Sequence, residues 1–174
     1  MRLVDPRPVS ASRSVLSHWM GPTDANIAGS VHGGAVMKLC DEAAATAAVR
    51  HCRHMVVTAA MGRMTFLLPI RLGQLLTFHA SVNAVWRTSM EVGVRVVAED
   101  VASGDAQHTN SAYLTMVAID AAGRPVEVPP LLMEDDEDRR REREAQLRRA
   151  SALAEREAIL AERRARGEDL SRRP

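Results

Sequence analysis

The chain passes from a loop into a helix within one stretch, which reads Asp24-Ala25-Asn26-Ile27-Ala28-Gly29-Ser30-Val31-His32-Gly33-Gly34-Ala35-Val36-Met37-Lys38-Leu39-Cys40-Asp41-Glu42. Its first half is rich in Asp, Asn and Gly, which favour tight turns. Gly33-Gly34 then opens an Ala-rich run to about Arg53 without internal Pro or Gly, which predicts one long helix. The first N–H groups of this helix are therefore accessible to an incoming oxygen.

Asp41 lies two turns into the predicted helix, among mostly apolar residues. On an ideal helical wheel it falls at the edge of one polar stripe, formed by Lys38, Glu42, Thr46 and Arg50. Taken alone, Asp41 is the solvated side of an amphipathic helix and Asn26 is a turn residue. An acid and a loop amide beside a donor-rich helix start together suit acyl transfer.

An ordered set of motifs extends from about Val15 to Pro130. It comprises Asp24-x-Asn26-x-x-Gly29-x-Val31-His32-Gly33-Gly34, Asp41-Glu42, Arg50-His51-Cys52, Val56-Val57-Thr58, Met64-x-Phe66-x-x-Pro69-Ile70-x-x-Gly73, Thr88-Ser89-Met90-Glu91-Val92 and Tyr113-x-x-Met116-Val117-Ala118-x-Asp120-x-x-Gly123-x-Pro125. As a set, it resembles the hotdog-fold acyl-CoA thioesterases, in particular the brain-type cytosolic acyl-CoA hydrolases and their single-domain bacterial relatives. The resemblance implies an α+β fold, in which a curved antiparallel sheet wraps around one long central helix.

The same resemblance implies hydrolysis of fatty acyl-CoA to CoA and free fatty acid. Asp41 would act as general base or as carboxylate nucleophile, and the Gly33 and Gly34 N–H groups would stabilise the oxyanion. Asn26 would come from the other subunit of a homodimer, with three dimers forming a hexamer. The candidate substrate and CoA contacts are His32, Thr58, Arg63, Arg87, Thr88, Ser89 and Arg124. The family usually has Gly where this sequence has Trp86.

Two other functions remain open from the residues. A hotdog hydratase or dehydratase acting on enoyl thioesters would need a His and acid pair, for which only His32 is placed. A non-catalytic acyl-CoA sensor would bind ligand without releasing a thiol. The sequence has no GxSxG elbow, phosphate-binding glycine loop or CxxC pair, which argues against a serine esterase, a nucleotide loop and a zinc site. Hydrolysis moves no electrons, so we expect no metal or other cofactor, with CoA present only as part of the substrate.

Composition narrows the partners and the compartment. The chain has 174 residues, a net charge of +1 and 3% aromatic residues, which disfavour nucleic acid and anionic membranes as partners. Cys40 and Cys52 are 12 residues apart on the predicted helix, about 18 Å along its axis, so they cannot bridge each other. With no signal peptide and no long apolar run, a cytoplasmic location is expected.

Three regions are predicted along the chain. Residues 1–13, with Pro6 and Pro8, form a loose arm, and residues 14–130 form the hotdog domain. Its strands are predicted at Ser14–Met20, Met55–Phe66, Leu75–Val85, Thr88–Glu99 and His108–Asp120. Residues 131–174 form a charged helical tail that is solvated or makes a short coiled-coil contact, with Gly167–Pro174 frayed. Truncation after Pro130 is therefore expected to leave a folded, active oligomer.

Overall fold

The structure, a computed structural model, describes residues 5–166. Its elements in chain order are β1 (Arg7–Pro8), β2 (Ser14–Trp19), α1 (Gly33–Cys52), β3 (Met55–Met61), β4 (Leu75–Val85), β5 (Ser89–Asp100), β6 (Asp105–Ile119), β7 (Leu131–Leu132) and α2 (Asp136–Ala165). One antiparallel sheet has the order β2-β4-β5-β6-β3, while β1 and β7 pair in parallel. The curled five-stranded sheet with its long helix is the predicted hotdog fold, which is confirmed.

Helix α1 packs on the inner face of the sheet through small side chains. Ala43, Ala44, Ala47 and Ala48 are almost completely buried, and they meet the inward residues of the strands. On β4 these inward residues are Leu76, Phe78, Ala80 and Val82. Because alanine adds little width, a curved sheet can close tightly around the helix. The predicted polar stripe, Lys38, Glu42, Thr46 and Arg50, is exposed.

Strand β4 has the predicted bounds, whereas β3 is shorter than predicted. β3 ends at Met61 instead of Phe66, although Gly62 N still donates to Tyr113 O at 2.8 Å. Beyond Gly62 the chain leaves β6 and returns to it only at Leu67, whose N–H donates to Thr109 O. The residue at which a strand stops pairing depends on its partner strand. The alternation of side chains along one strand carries no information about that partner.

The loose arm predicted for residues 1–13 is wrong for residues 7–12. Arg7 and Pro8 form β1, and residues 9–12 form a 3₁₀ turn in which Val9 and Ser12 are buried. The Arg7 Nη1 group donates to His51 O at 3.0 Å, close to the end of α1. Prolines remove local hydrogen bonds, but this segment is ordered by distant partners. Residues 1–4 lie outside the described residues.

Helix α2 has two halves with different surroundings. Its N-cap is Asp135, whose side chain accepts from Asp138 N at 2.8 Å. The first half packs on the outer face of the sheet, where Ala145 is completely buried, so a fully solvated tail is wrong here. Residues 150–159 are exposed, as the sequence predicts. The predicted fraying of Gly167–Pro174 lies outside the described residues.

Charged residues interrupt both long helices of the described residues, 5–166. Neither α1 nor α2 contains an apolar run that could cross a bilayer.

Candidate active site

Asp41 is held by a side chain from the neighbouring strand. Thr58 on β3 donates its Oγ1–H to Asp41 Oδ1 at 2.5 Å, and the same hydroxyl lies 3.4 Å from Met116 Sδ. The α1–β3 connection is short and contains Arg53 in the left-handed region, at φ 58°, which returns the chain along the helix. Asp41 Oδ2 has no hydrogen-bond partner within residues 5–166, so it can accept from a water molecule.

The start of α1 offers one N–H group where the sequence predicts two. His32 is the N-cap, and its Nδ1 accepts from Gly34 N at 2.9 Å. The next two N–H groups, of Ala35 and Val36, donate to His32 O. Gly33 N has no partner among the described residues, so it alone is available as an oxyanion donor at this helix start.

Gly34 is needed for close packing against the His32 ring, not as an oxyanion donor. A Cβ on residue 34 would lie 2.9 Å from Nδ1 and Cε1 of the His32 ring, a separation that Cβ atoms do not adopt. Glycine at this position therefore allows the imidazole cap. Since Nδ1 accepts the Gly34 N–H, the neutral ring carries its proton on Nε2, which faces away from the cap.

Asn26 uses both ends of its amide to close its own loop. Its Oδ1 accepts from the N–H groups of Ala28 and Ser30, at 2.9 and 3.2 Å. Its Nδ2 donates to Ser30 Oγ at 2.9 Å and to Val31 O at 3.4 Å. Within one chain, Asn26 is thus an organising turn residue, and no hydrogen bond joins it to Asp41 among residues 5–166.

Asp24 and His18 secure the entry to this loop. Asp24 Oδ2 accepts from Gly21 N at 2.9 Å and lies 3.1 Å from His18 Nε2. The backbone hydrogen bond from Gly21, together with the contact with His18, lowers the pKa of Asp24. The Asp24 carbonyl also accepts from His32 N at 2.7 Å, and this hydrogen bond joins the two ends of the loop. Sequence analysis did not identify His18, because its contact spans a turn that has no periodic pattern.

An apolar cavity of about 390 Å³ lies beside the free Gly33 N–H. Its walls come from the start of α1, at Gly33 and Val36, and from residues 66–70. A Cβ on residue 33 would lie 3.4 Å from the Phe66 ring, in ordinary van der Waals contact, so this ring lies directly beside the helix start. The cavity is large enough for a short hydrocarbon chain.

Gly33 and Asp41 are too far apart to act on one atom. They are eight residues apart on α1, which corresponds to about 12 Å along its axis. A single chain therefore presents two separate parts of a site, one with Asn26, Gly33 and the cavity, the other with Asp41 and Thr58.

The turn between β4 and β5 lies near Thr58. Across the sheet, Ser89 pairs with Val117, which pairs with Val57, so Ser89 lies two strands from β3, about 10 Å away. The turn is closed by a hydrogen bond from Trp86 N to Ser89 O at 2.7 Å. Thr88 O accepts from Ala118 N and Arg87 O from Val128 N, so backbone bonds hold the turn while the Arg87 side chain is exposed.

The two remaining candidate arginines differ in whether their side chains already have partners. Arg124 donates to Asp120 through Nε at 3.0 Å and Nη2 at 2.9 Å, so its guanidinium is already occupied. Arg63 is exposed and has no ion pair or hydrogen bond in residues 5–166. The structure brings neither of them to Asp41.

Other titratable groups on α1 are structural. His51 is completely buried, its Nε2 lies 2.9 Å from Pro129 O, and burial lowers its pKa. It is thus a neutral core residue with a structural role. Burial raises the pKa of Cys40 to about 12, so this thiol is not a nucleophile near neutral pH. Within residues 5–166 no three His, Cys, Asp or Glu side chains are grouped as metal ligands.

Similarity to known sequences points to the thioesterases. A family model described as the thioesterase superfamily matches residues 28–104. An uncharacterized acyl-CoA thioester hydrolase of Bacillus subtilis, YkhA, is 33% identical over 163 residues, covering 88% of this chain and 95% of that protein. The cytosolic acyl coenzyme A thioester hydrolase of Rattus norvegicus is 36% identical over 155 residues, covering 88% of this chain. The match spans only 41% of the rat protein.

Solved structures show the same architecture. A hexameric acyl-CoA thioesterase in its apo form superposes with a TM-score of 0.83 at 33% identity, covering 87% of this chain and 97% of that one. An acyl-CoA hydrolase from Staphylococcus aureus, in complex with butyryl coenzyme A, coenzyme A and coenzyme A disulfide, has a TM-score of 0.83 at 31% identity. That match covers 93% of this chain and 99% of the other. Further structures of the S. aureus enzyme carry alanine in place of one asparagine, one aspartate or one threonine.

The sheet wrapped around α1, the carboxylate held by Thr58 and the near full-length similarity lead to one assignment. The chain belongs to the thioesterase superfamily, among the acyl-CoA thioester hydrolases of the hotdog fold.

Proposed function

We propose that this protein hydrolyses acyl-CoA at sites shared between two subunits, with Asp41 activating the water. The observation that carries this proposal is the Asp41 carboxylate, which Thr58 binds through Oδ1 while Oδ2 is left for a water molecule. An oriented carboxylate with one free oxygen is what a general base requires. The acyl-CoA hydrolases to which the chain is similar support the substrate class.

The substituted positions in the S. aureus enzyme support the choice of residues. In that protein the asparagine and the aspartate are 15 residues apart, and the threonine follows the aspartate by 17. Asn26, Asp41 and Thr58 have the same two separations here. We therefore assign these three side chains to one functional site.

A second subunit would bring a Gly33 and an Asp41 together, although they are far apart within one chain. Strand β3 is one of the two edges of the sheet, and exposed residues dominate it, including Met55 and Val57. An exposed apolar edge favours pairing with another strand, here the β3 of a second copy. We propose a homodimer joined along β3, in which Asn26 and Gly33 of one subunit face the partner subunit's Asp41. Three such dimers would form a hexamer, the assembly described for a similar thioesterase.

In the proposed mechanism, the acyl chain occupies the 390 Å³ cavity and the thioester oxygen accepts from Gly33 N–H. Loss of one such donor elsewhere costs about 3 kcal/mol of transition-state stabilisation. Asp41 takes a proton from water as the new C–O bond forms, and the C–S bond then breaks. The same proton passes to the departing sulfur, which gives CoA and a free acid.

The contacts with the nucleotide end of CoA are assigned by charge and position. Arg87, Thr88 and Ser89 offer a guanidinium and two hydroxyls on a backbone-fixed turn near Thr58. His32 Nε2–H and the exposed Arg63 are further donors. Arg124 would have to leave Asp120 to bind a phosphate, so we rank it last.

The structure favours hydrolysis over hydration of an enoyl thioester. A hydratase would use His32 as one of its acid–base groups, but His32 Nδ1 already caps α1 by accepting from Gly34 N. Within residues 5–166, no histidine forms a hydrogen bond or ion pair with Asp41, whose partner is Thr58. Asp41 therefore acts alone on water, as hydrolysis needs.

We also propose a cytoplasmic protein that needs no metal or redox cofactor and binds neither nucleic acid nor membranes. Supporting the location, a similar rat enzyme is named cytosolic, and Cys40 and Cys52 are free thiols. Supporting the chemistry, hydrolysis needs only water and an acid–base group.

Asp41→Asn tests the base, because it keeps the size of the side chain and removes its charge. Thiol release from acyl-CoA should fall by about 100-fold or more. The matched control is Glu42→Gln, which removes an exposed carboxylate one residue further along and should leave the rate unchanged. Equal losses in both variants would contradict the role of Asp41.

Mixing inactive variants tests the shared site. Asn26→Ala should also be poorly active, and a mixed dimer of Asn26→Ala with Asp41→Asn contains one site with both residues intact. Subunit exchange should then restore up to about half of the wild-type activity per mixed dimer. Mixtures that exchange subunits by mass spectrometry but stay inactive would place both residues in one chain.

Single-turnover hydrolysis in ¹⁸O-labelled water distinguishes the two roles of Asp41. A general base puts the label only into the fatty acid. A carboxylate nucleophile forms an anhydride with Asp41, so water attack on that anhydride can leave label in the protein.

A further inference from the structure

A second cavity lies on the opposite face of the sheet from α1. It is an open groove with a volume of about 620 Å³, and it lies between the outward residues of the strands and the first half of α2. None of Asn26, Gly33, Asp41 and Thr58 lines it. Its volume falls in the range of sites that bind small molecules, and it is separate from the candidate active site.

The lining of this cavity is rich in arginine. Five arginines contribute, Arg13, Arg95, Arg140, Arg141 and Arg148, against the two carboxylates of Glu137 and Glu144. Further wall residues add hydroxyl, imidazole and amide groups, on Ser81, Ser111, Tyr113, His79 and Asn83, while Val15, Ala80, Val94 and Val97 add apolar surface. The excess of arginines over carboxylates attracts an anion.

Three of the arginines already have carboxylate partners. Arg140 binds Glu137 and Glu144, and Arg141 Nε donates to Glu137 at 2.9 Å. Arg148 holds the buried Glu91 through two hydrogen bonds, of 2.7 and 3.1 Å. These pairs build the wall, and their charges are largely neutralised within it.

Arg95 is different, because it has no ion pair or hydrogen bond in the described part of the chain, although it lines the cavity. It lies directly between His79 on β4 and Ser111 on β6 in the register of the sheet. Residues opposite each other on adjacent strands have Cβ atoms about 5 Å apart. A guanidinium, an imidazole and a hydroxyl thus form one row without a carboxylate among them, and the Ser111 hydroxyl also lies 3.0 Å from His108 Nε2.

Arg13 adds a second cation at the rim. Its nearest carboxylate is that of Asp138, at 4.0 Å, and its side chain is 56% exposed. The guanidinium fork of arginine matches the oxygens of a phosphate group in geometry and charge.

We propose that this groove between α2 and the outer sheet face binds a phosphorylated small molecule of nucleotide size, with its phosphates on Arg95, His79 and Ser111. The ligand could be supplied as a free nucleotide or as the nucleotide end of CoA, which share this chemistry. The groove is then a binding site additional to the catalytic one.

Isothermal titration calorimetry of the full chain with ADP and with inorganic pyrophosphate tests the proposal. Both should bind the wild-type protein, with an affinity that falls as NaCl is raised. Arg95→Gln should weaken both by about tenfold or more, because it removes a charge-assisted contact. Arg143→Gln, an exposed arginine of α2 outside the groove, is the matched control and should bind as the wild type does.

Several results would overturn the proposal. They are no binding of ADP and pyrophosphate, equal affinities in Arg95→Gln and wild type, or binding of succinate as tight as that of ADP. A change of oligomeric state in Arg95→Gln together with no ADP binding would instead assign the groove to a subunit contact. Arg95 is an exposed side chain, so thermal melting of this variant should match the wild type.

Titration with CoA separates the two sources. A CoA-binding component that is lost in Arg95→Gln but kept in Asp41→Asn identifies CoA as the ligand, and its absence alongside ADP binding identifies a free nucleotide. Acyl-CoA hydrolysis by Arg95→Gln should be unchanged without ADP. These experiments therefore test ligand binding at the groove and acyl-CoA hydrolysis at the catalytic site independently.

Discussion

Helices α1 and α2 pack on opposite faces of the same sheet, with different side chains. The 20 residues of α1 present a face of buried alanines to the inner side of the sheet. The 30 residues of α2 are held on the outer side mainly by arginines. Arg148 pairs with Glu91 and lies 3.6 Å from the centre of the Tyr113 ring, while Arg149 lies 4.1 Å from that of Trp86.

This difference shows that the two faces of one sheet can be covered in two ways, by close packing of small side chains or by specific polar contacts. Alanines tolerate no added volume, because the helix and sheet meet along their whole length. Arginine contacts depend instead on a few partners, and each can be lost separately. Asn83 illustrates this specificity, since its Nδ2 donates to Glu91 at 3.1 Å and leaves room for no side chain at Gly93.

The largest effect is predicted for added volume on α1. Ala44→Leu forces three extra carbons into a fully buried position and should lower the free energy of unfolding by about 1–3 kcal/mol or more. Ala150→Leu makes the same change at an exposed position of α2 and should shift it by less than about 0.5 kcal/mol. Urea denaturation measures both, and equal losses would contradict the contrast between the helices.

The next effect is predicted for the ion pair that anchors α2. Arg148→Met leaves the buried Glu91 with Asn83 as its only partner within residues 5–166 and should destabilise the protein by about 1–3 kcal/mol. This is below the cost for a fully buried pair, because the Arg148 side chain is 30% exposed. Arg140→Gln removes only solvent-exposed pairs and serves as the control, with no measurable change expected in urea denaturation. If Arg148→Met leaves the free energy of unfolding unchanged, α2 is held by other contacts.

A smaller, pH-dependent effect is predicted for His51 on α1. Burial lowers its pKa in the folded protein, so the unfolded chain binds the proton more readily. The stability that this residue contributes is complete above the unfolded pKa of about 6.5 and is lost as the pH falls below it. His51→Gln should therefore flatten the fall in melting temperature between pH 7.5 and 5.5. His54→Gln, at an exposed histidine, should reproduce the wild-type slope.

The smallest effect is predicted for the outer half of α2. Deleting residues 151–174 should leave the melting temperature and thiol release unchanged, because nearly all side chains between 151 and 166 are exposed. Deletion of everything after Pro130, which the sequence alone predicts to be harmless, also removes Arg148 and Ala145 and should lower the melting temperature. Equal stability of the two truncations would show that α2 contributes nothing to the fold.

Local patterns were sufficient to predict most of the elements. Helix α1 begins at Gly33 as predicted, because glycines, an Ala-rich run and the absence of Pro are local signals. Strand β4 matches Leu75–Val85, since alternation reports which residues face the core. The pairing of Asp41 with Thr58 could not be derived from spacing alone, and the motif resemblance placed both among the candidates.

The sequence by itself determined the fold class, the long helix with its acid and the family, because these depend on periodicity and on an ordered set of motifs. Only the tertiary structure decided which donors are free. It places the His32 ring on Gly34 N and leaves Gly33 N open, and it turns Asn26 onto its own loop. It also anchors residues 7–12 beside α1 and the first half of α2 on the outer face of the sheet. These outcomes depend on contacts between residues far apart in the chain or on side-chain rotamers, and one-dimensional patterns carry information on neither.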